Sequence, residues 1–372
     1  MPSNKVLGLI FPNMHDGHPA GLTEHRCIGS LPFGARYRMI DFALSSMINA
    51  GVPDIGVVAR NNYQSLMSHL GSGKDWDLAR KHGGLSILPP YGHSGFGLYS
   101  GRVQAIESVR GYISSIDPDT VVLADCNVVA SVDLAAALEL HAAKNADITV
   151  VCTDASGREL PPESINLTAD AEGRVSELLT APVGEAAKTV GMNIYIVRKD
   201  VLLDAVHELA ARNMNNFDSD FLQSSLGRLR VYAFRHTGYA GFLSSRLAYF
   251  NCNMDLLLPE PRRELFAPAR PVLTRVRDEA PVIYGLGSSI RNSFIADGCY
   301  IDGEVENSII FRGVHIAKGC KIRNCILMRG TVVGENSSLE YAIFDKNVTV
   351  APGRQMIGCE TCPIYVEKGA EV

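Results

Sequence analysis

The sequence predicts an α/β domain followed by a left-handed parallel β-helix. In residues 1–257, short apolar runs alternate with amphipathic segments, which is the pattern of strands and helices in a layered α/β domain. Five prolines interrupt any helical period in residues 258–282, which we interpret as a linker. Residues 283–372 then repeat six-residue cycles that open on an aliphatic residue. Two domains also fit a chain of 372 residues, at about 150 residues per domain.

The predicted strands of the first domain are short apolar runs, and the predicted helices between them repeat apolar residues every three to four positions. The strands are Val6–Phe11, Asp54–Ala59, Thr120–Ala124, Ile148–Cys152, Asn193–Val197 and Arg230–Phe234. The helices are Asp41–Ala50, Arg102–Ile113, Leu134–Lys144, Val201–Ala211 and Ser244–Leu257. Each helix can lay one face on the sheet, and we expect the sheet to be mostly parallel.

The cycles of the second domain read IADGCYI at 295–301, IAKGCKI at 316–322 and VGENSSL at 333–339. In a parallel β-helix the aliphatic residue of each step points inward, and small or turn-forming residues make the corners. An antiparallel sandwich is the alternative for so many short strands. A coil of this kind cannot bury its faces alone, so we expect docking on a neighbouring domain or subunit.

Composition excludes several classes of function. The 35 Lys and Arg against 40 Asp and Glu give a net charge of −5, and no basic stretch predicts binding to nucleic acid. No apolar run approaches the roughly 18–20 residues of a membrane span. The start of the chain lacks the features of a signal peptide, so we expect a cytoplasmic protein with reduced thiols. Cys359 and Cys362 form a CxxC, without the further ligands of a zinc site.

Four motifs carry a resemblance to a known family. They are LTEHR at 22–26, PFGARYRMIDF at 32–42, GMNIY at 191–195 and NMDLL at 253–257. In this order they resemble the sugar nucleotidyltransferases, and among these the bacterial glucose-1-phosphate adenylyltransferases (ADP-glucose pyrophosphorylases). The resemblance implies a Rossmann-like nucleotidyltransferase domain of GT-A type before the left-handed β-helix. It also implies the reaction of ATP with glucose 1-phosphate, assisted by Mg²⁺, to give ADP-glucose and pyrophosphate.

The chain departs from the family where phosphates and metal are bound. In the family's glycine-rich loop, GGxGTRLxPLT, Asn13 and Met14 take the places of two glycines, Asp16 that of the next and His18 that of the arginine. Side chains therefore stand where backbone amides would face a triphosphate.

Further departures remove charged groups. Ile28 takes the place of a lysine, Gln104 that of the carboxylate in the helix start GTADAV, and Ala181 that of the lysine in EKP. Asp125 retains the position of one metal-binding aspartate, and Phe242 replaces the other. Mg²⁺ is held by several oxygen ligands, so Asp125 alone is a vestigial metal position. We expect no intact catalytic residue and no cofactor in this chain.

This pattern resembles the D-type subunit that accompanies the catalytic subunit in many Gram-positive bacteria. The resemblance implies a heterotetramer in which this chain has little or no activity and modulates a catalytic partner that binds Mg²⁺. The alternative is an active sugar-phosphate nucleotidyltransferase with a rebuilt site. Arg36 stands where catalytic homologues carry a lysine implicated in binding sugar-phosphate effectors, and Arg38 is close to it. The alternative for this pair is a structural role, in which the arginines pair with Asp41 or face solvent.

Overall fold

The computed structural model describes residues 5–17, 19, 21–81, 83–90, 99–154, 159–180 and 189–372. The strands before residue 243 are β1 (Val6–Phe11), β2 (Pro32–Phe33), β3 (Tyr37–Arg38), β4 (Asp54–Val58), β5 (Gly84–Leu88), β6 (Thr120–Asp125), β7 (Val128–Ala130), β8 (Ile148–Asp154), β9 (Asn166–Ala169), β10 (Val175–Leu179), β11 (Thr189–Arg198), β12 (Val231–Arg235) and β13 (Ala240–Phe242). The helices are α1 (Met39–Asn49), α2 (Gln64–Leu70), α3 (Arg102–Ser108), α4 (Arg110–Ile116), α5 (Leu134–Ala143), α6 (Lys199–Ala211), α7 (Arg246–Asp255) and α8 (Pro259–Leu265). A π-helical turn spans Phe217–Gln223.

The central sheet is mixed, so the expectation of a mostly parallel sheet is wrong. Its order is β10-β9-β11-β6-β1-β4-β5, and β8 lies beside β11 with β12 as its other neighbour. Strand β1 runs parallel to β4 and β6, but β11 runs antiparallel to β6 and β8. Parallel neighbours need a crossover, usually a helix. The described chain between β8 and β11 holds the antiparallel pair β9 and β10 instead, so β11 enters the sheet reversed.

The sheet is covered on both faces. Along β1, Leu7 and Leu9 point into one buried cluster and Ile10 points into the other, as the alternation of a strand requires. Helices α3 and α6 cover the first face, and α1 covers the second. A Cβ on Gly8 would lie 2.5 Å from the Met47 sulfur, so glycine lets α1 approach this closely. The predicted helix over 102–113 is split at Val109, whose φ of −108° and ψ of 13° leave the helical region.

The second domain is a parallel β-helix. Its strands are β14 (Ile283–Tyr284), β15 (Ser289–Arg291), β16 (Phe294–Ile295), β17 (Tyr300–Ile301), β18 (Glu304–Glu306), β19 (Ile309–Ile310), β20 (His315–Ile316), β21 (Lys321–Leu327), β22 (Val332–Val333), β23 (Ser338–Phe344), β24 (Thr349–Val350), β25 (Gln355–Ile357) and β26 (Ile364–Val366). Ile301, Ile316, Val333 and Val350 stack in register down one face, and the ladders among β14–β26 are parallel. The predicted fold class is therefore confirmed, and the antiparallel sandwich is excluded.

The proline-rich segment packs along the first domain. It begins with α8, whose Pro259 and Pro261 lie in the first turn. The backbone N–H groups of that turn have no partner within the helix, so proline, which has no N–H, is tolerated there. Beyond α8 the chain runs along α1, where the Leu273 amide donates to Ser45 Oγ at 2.9 Å. No helix in the described ranges is long and apolar enough to cross a membrane.

The two domains share an interior. Phe311, Met328 and Ile343 of the β-helix belong to the same buried cluster as α1 and α7. Arg26 of the first domain donates two hydrogen bonds to the Asp345 carboxylate of the second, at 2.7 and 2.9 Å, and both side chains are buried. The Tyr365 hydroxyl donates to the Gly21 carbonyl oxygen at 3.1 Å. These contacts fix the face where the β-helix meets the first domain.

Candidate functional site

The first candidate site lies at the carboxyl ends of β1 and β6, where open α/β sheets place their ligands. The loop after β1 is closed by its own side chains. Asn13 Nδ2 donates to Asp16 Oδ2 at 2.8 Å, and the Arg60 amide donates to Asn13 Oδ1 at 3.0 Å. Asp16 Oδ1 accepts from the Ile28 amide at 2.7 Å, and burial raises the pKa of Asp16. Met14 packs against the apolar face of the sheet.

These contacts give the degenerate positions internal roles. The polar groups of the loop bond one another, and the Asp16 carboxylate accepts hydrogen bonds from Asn13 and from the Ile28 amide. Gln104 Oε1 accepts from the Ser100 amide at 2.9 Å and so holds the start of α3. Phe242 is buried in β13 opposite Val128 of β7. His18 and Ala181 lie outside the described residues.

Asp125, at the end of β6, is held by two cations of the same chain. Its Oδ2 accepts from Arg102 Nη2 at 2.5 Å and lies 2.8 Å from His15 Nε2, with the carboxylate fully buried. Arg102 also reaches Asp218 Oδ1 at 3.4 Å, which accepts from the Tyr195 hydroxyl at 2.6 Å. The Arg102 guanidinium stacks over the Tyr195 ring.

The charges of this cluster are mutually neutralised. Burial would raise the pKa of Asp125, but Arg102 and His15 lower it, so the carboxylate stays ionised. Burial would lower the pKa of His15, but hydrogen bonds to Asp125 and Glu163 raise it to about 9. Burial raises the pKa of Asp218. A buried carboxylate is stable only when paired in this way.

These residues do not fit a magnesium ion. Mg²⁺ takes oxygen ligands. Asp125 Oδ2 is bonded to the nitrogen cations of Arg102 and His15, and Asp125 Oδ1 is buried without a hydrogen-bond partner, so a divalent cation at this carboxylate would lie beside two positive charges. The described residues contain no cluster of three or more His, Cys, Asp or Glu arranged around a common point. Sequence reasoning missed His15 and Arg102 as site residues, whereas Tyr195 belongs to the GMNIY motif that carries the resemblance. The sequence does carry a signal for Arg102, because this large cationic side chain stands where the family motif GTADAV has a small residue.

The raised pKa of His15 predicts a pH dependence of stability. A group whose pKa is raised on folding stabilises fully below its unfolded pKa of 6.5, and this contribution is lost as the pH rises through 9. At about 1.4 kcal/mol per pKa unit, the contribution is about 3 kcal/mol. We expect the difference in unfolding free energy between wild type and His15→Gln to shrink by this amount over that window, measured by urea denaturation. A difference that is constant with pH would contradict the protonated His15.

The second candidate site is a cationic cavity of about 530 Å³ between the two domains. Arg36, Arg38 and His69 line the wall from the first domain. The opposite wall is formed by Arg277, Arg312, Arg329 and Lys346, with Glu279 also in the lining. Residues of the PFGARYRMIDF motif thus share one cavity with residues of the proline-rich segment and of the β-helix.

The arginines predicted to bind an effector lie in this cavity. The Arg38 guanidinium donates to the Ser65 carbonyl oxygen at 2.7 Å and to Ser65 Oγ at 2.9 Å. Asp41 accepts from the Arg38 backbone amide and bonds His69 Nε2 at 2.6 Å, so the Arg38 guanidinium does not depend on Asp41 for a partner. Arg36 is exposed beside the Tyr37 ring.

Crowding of positive charge defines the chemistry of the cavity. Burial, followed by neighbouring arginines, lowers the pKa of Arg277 and of Arg312. Burial, with Arg38 and Arg26, lowers the pKa of Lys346 to about 7. A bound anion offsets the repulsion between cations that lower one another's pKa values. Guanidinium groups can donate two parallel hydrogen bonds to a phosphate group. The cavity therefore suits a phosphorylated ligand.

Known proteins match this chain along its length. A nucleotidyl transferase family model matches residues 20–240, and a model of the GlmU-like C-terminal hexapeptide matches residues 284–362. The chain therefore belongs to the nucleotidyl transferase family. The glycogen biosynthesis protein GlgD of Bacillus subtilis (strain 168) is 30% identical over 370 residues, covering 99% of this chain and 97% of that protein.

Enzymes of one activity occur among the relatives. The glucose-1-phosphate adenylyltransferase of Pseudothermotoga lettingae is 31% identical over 325 residues, covering 86% of this chain and 76% of the enzyme. That of Acetivibrio thermocellus is 27% identical over 360 residues, covering 96% and 84%. The resemblance to the glucose-1-phosphate adenylyltransferase group, and within it to the D-type chain, is confirmed.

Proposed function

We propose that this chain is a subunit of a glucose-1-phosphate adenylyltransferase of glycogen biosynthesis, inactive by itself, that modulates a catalytic partner. The names of the relatives support the pathway. The observation that carries the inactivity is the bonding of Asp125 to Arg102 and His15.

The physical argument is electrostatic. Transfer of an adenylyl group gathers negative charge around the α-phosphorus, and enzymes stabilise this charge with a metal and preorganised donors. Here the carboxylate that would hold the metal is neutralised internally, and the buried Phe242 supplies no second carboxylate. The loop after β1 adds the Asp16 carboxylate, which repels phosphate. The chain retains the fold of the enzyme without the charges of its reaction.

The free end of the β-helix supports the proposal that this chain binds a partner subunit. Strands β14, β15 and β16 form the first coil, and in the described chain each pairs along one edge only. Ile283, Tyr284 and Leu286 at this end are exposed. An uncapped end of a repeat fold with apolar side chains is a surface that another subunit covers. We propose that the catalytic subunit docks here, in a heterotetramer.

The cationic cavity supports a regulatory role. It joins both domains, so an anion bound there contacts Arg36 on one wall and Arg329 on the other. We propose that a sugar-phosphate effector binds in it and acts on the partner through a difference in affinity between two states of the assembly.

The deciding experiment measures pyrophosphate release from ATP and glucose 1-phosphate with Mg²⁺, for the isolated chain and for its mixture with the catalytic subunit. We expect no turnover alone and an altered rate in the mixture. Phe242→Asp should not restore activity, because Arg102 and His15 still bind Asp125. Leu286→Asp should weaken the effect of mixing, whereas Met214→Asp, at another exposed apolar residue, should not.

Two outcomes contradict the proposal separately. Robust turnover by the isolated chain would favour the alternative, an active sugar-phosphate nucleotidyltransferase with a rebuilt site. An unchanged rate on mixing would remove the modulating role while leaving the inactivity intact.

A further inference from the structure

The β-helix carries an exposed pair of cysteines that the proposed function does not use. All nine cysteines lie in the described part of the chain, and seven of them are buried. Burial raises the pKa of Cys27 to about 11 and that of Cys325 to about 12, which keeps these buried groups as thiols. The thiolate is the reactive form of cysteine, and it must also be reachable. Thiol chemistry with solutes is therefore confined to Cys359 and Cys362.

The two exposed cysteines face each other across a tight hairpin between β25 and β26. The Cys359 amide donates to the Cys362 carbonyl oxygen at 3.4 Å, and the Cys362 amide donates back at 3.1 Å. Residues paired in this way have Cα atoms about 5.5 Å apart and side chains on one face. This separation lies within the range of roughly 4.4–6.8 Å that a disulfide spans.

The Cys359 sulfur lies close to the other residues of the hairpin. It lies 3.6 Å from Thr361 Oγ1 and 3.9 Å from the Cys362 carbonyl oxygen. A rotation of the side chains is the movement needed to join the two sulfurs, because the backbone geometry is in place.

The base of the hairpin is anchored on the β-helix. The Gly358 amide donates to the Glu340 carbonyl oxygen at 2.8 Å, and a Cβ on Gly358 would lie 2.4 Å from the Tyr341 carbonyl oxygen. Pro363, on the other side of the hairpin, is buried. The segment is held at both ends, and a bond between cysteines three positions apart closes only a short loop, so little chain entropy is lost when the disulfide forms.

We propose that Cys359 and Cys362 form a redox site that undergoes thiol–disulfide exchange with a low-molecular-weight disulfide. The thiolate of one cysteine attacks a sulfur of the incoming disulfide and releases one thiolate. The second cysteine, as thiolate, then displaces the other half, so that a Cys359–Cys362 disulfide forms. The chain loses two electrons and two protons, and the small disulfide is reduced to two thiols that take up those protons.

The alternative of a metal site has less support. A structural zinc ion takes four ligands, and the described residues place no cluster of three or more His, Cys, Asp or Glu around a point. Disulfides in exposed hairpins are also the labile ones, which suits reversible exchange.

The test equilibrates the full chain with mixtures of reduced and oxidised glutathione, followed by acid quenching, alkylation and peptide mass spectrometry. We expect the peptide that holds both cysteines to lose two hydrogens as the oxidised fraction rises, and to regain them with dithiothreitol. Thiols that stay free at every ratio, or that carry only glutathione adducts, would overturn the proposal.

Single-cysteine variants identify the pairing. Cys359→Ser and Cys362→Ser each leave one exposed thiol, which should end as a glutathione adduct without an intrachain bond. Thiols of the seven buried cysteines should stay unmodified in the folded chain. If either variant still loses two hydrogens, a different cysteine takes part and the proposed pair is wrong.

Discussion

Replacing Arg26 by alanine is expected to lower the free energy of unfolding by about 3–5 kcal/mol, because it leaves the buried Asp345 carboxylate without its cation. The pair joins the loop after β1 to the last coils of the β-helix, so the loss falls on the contact between the domains. The Tyr365 hydroxyl lies 3.1 Å from Asp345 Oδ2 and 3.1 Å from the Gly21 carbonyl oxygen, so its one hydrogen is shared between two acceptors and supplies at most one neutral hydrogen bond in place of the cation. Urea denaturation of wild type and variant measures the difference.

A surface pair provides the matched control. Arg291 lies 3.1 Å from Glu306 in the β-helix, and its side chain is 76% exposed. Exposed ion pairs contribute about 1 kcal/mol or less, so Arg291→Ala should change stability little. If Arg26→Ala costs no more than Arg291→Ala, the buried pair does not hold the domains together.

Substitutions in the cationic cavity are expected to have the largest effect on ligand binding. Arg36→Ala and Arg329→Ala each remove a guanidinium from one wall of the cavity. A hydrogen bond to a charged group is worth about 1.5–3 kcal/mol, which corresponds to roughly a 10- to 150-fold weaker affinity. Titration calorimetry with a hexose phosphate measures the change, and inorganic phosphate serves as the probe for the anion alone.

The same exposed arginine serves as the control for charge. Arg291→Ala removes one positive charge outside the cavity, so it should leave the dissociation constant nearly unchanged. Equal affinities for wild type, Arg36→Ala and Arg329→Ala would exclude the cavity as the binding site. Loss of binding in Arg36→Ala alone would limit the site to the wall from the first domain.

The elements predicted from the sequence were those with a strong local pattern. Strand β1 was predicted with its observed bounds, because a strand buried on both faces is a continuous apolar run. The aliphatic cycles of the β-helix were equally clear, because each coil repeats the same inward positions. The direction of β11 was not predictable in this way. Direction depends on which strand lies beside it, and the run around Asn193–Val197 reads the same in either orientation.

The candidate sites show the same division. Motif positions drew attention to Asn13, Asp16 and Asp125, and the structure brings them to one end of the sheet. His15, the partner of Asp125, lies 110 positions away in the sequence. No local sequence pattern predicts an ion pair between residues so far apart in the chain. Likewise, the motif around Arg36 makes it a candidate from the sequence alone. Arg329 lies at a turn of the β-helix, and only the packing of the two domains brings it into the same cavity as Arg36.

The pairing of Arg26 with Asp345 has a consequence for synthesis on the ribosome. The two residues are separated by 319 positions, and the chain grows at about 5–20 residues per second, so Arg26 emerges about 15–60 seconds before its partner. During this interval the first domain exposes the apolar face that Phe311 and Met328 later cover. The nascent chain is thus most open to aggregation, and to capture by a chaperone, between the emergence of the first domain and that of Met328.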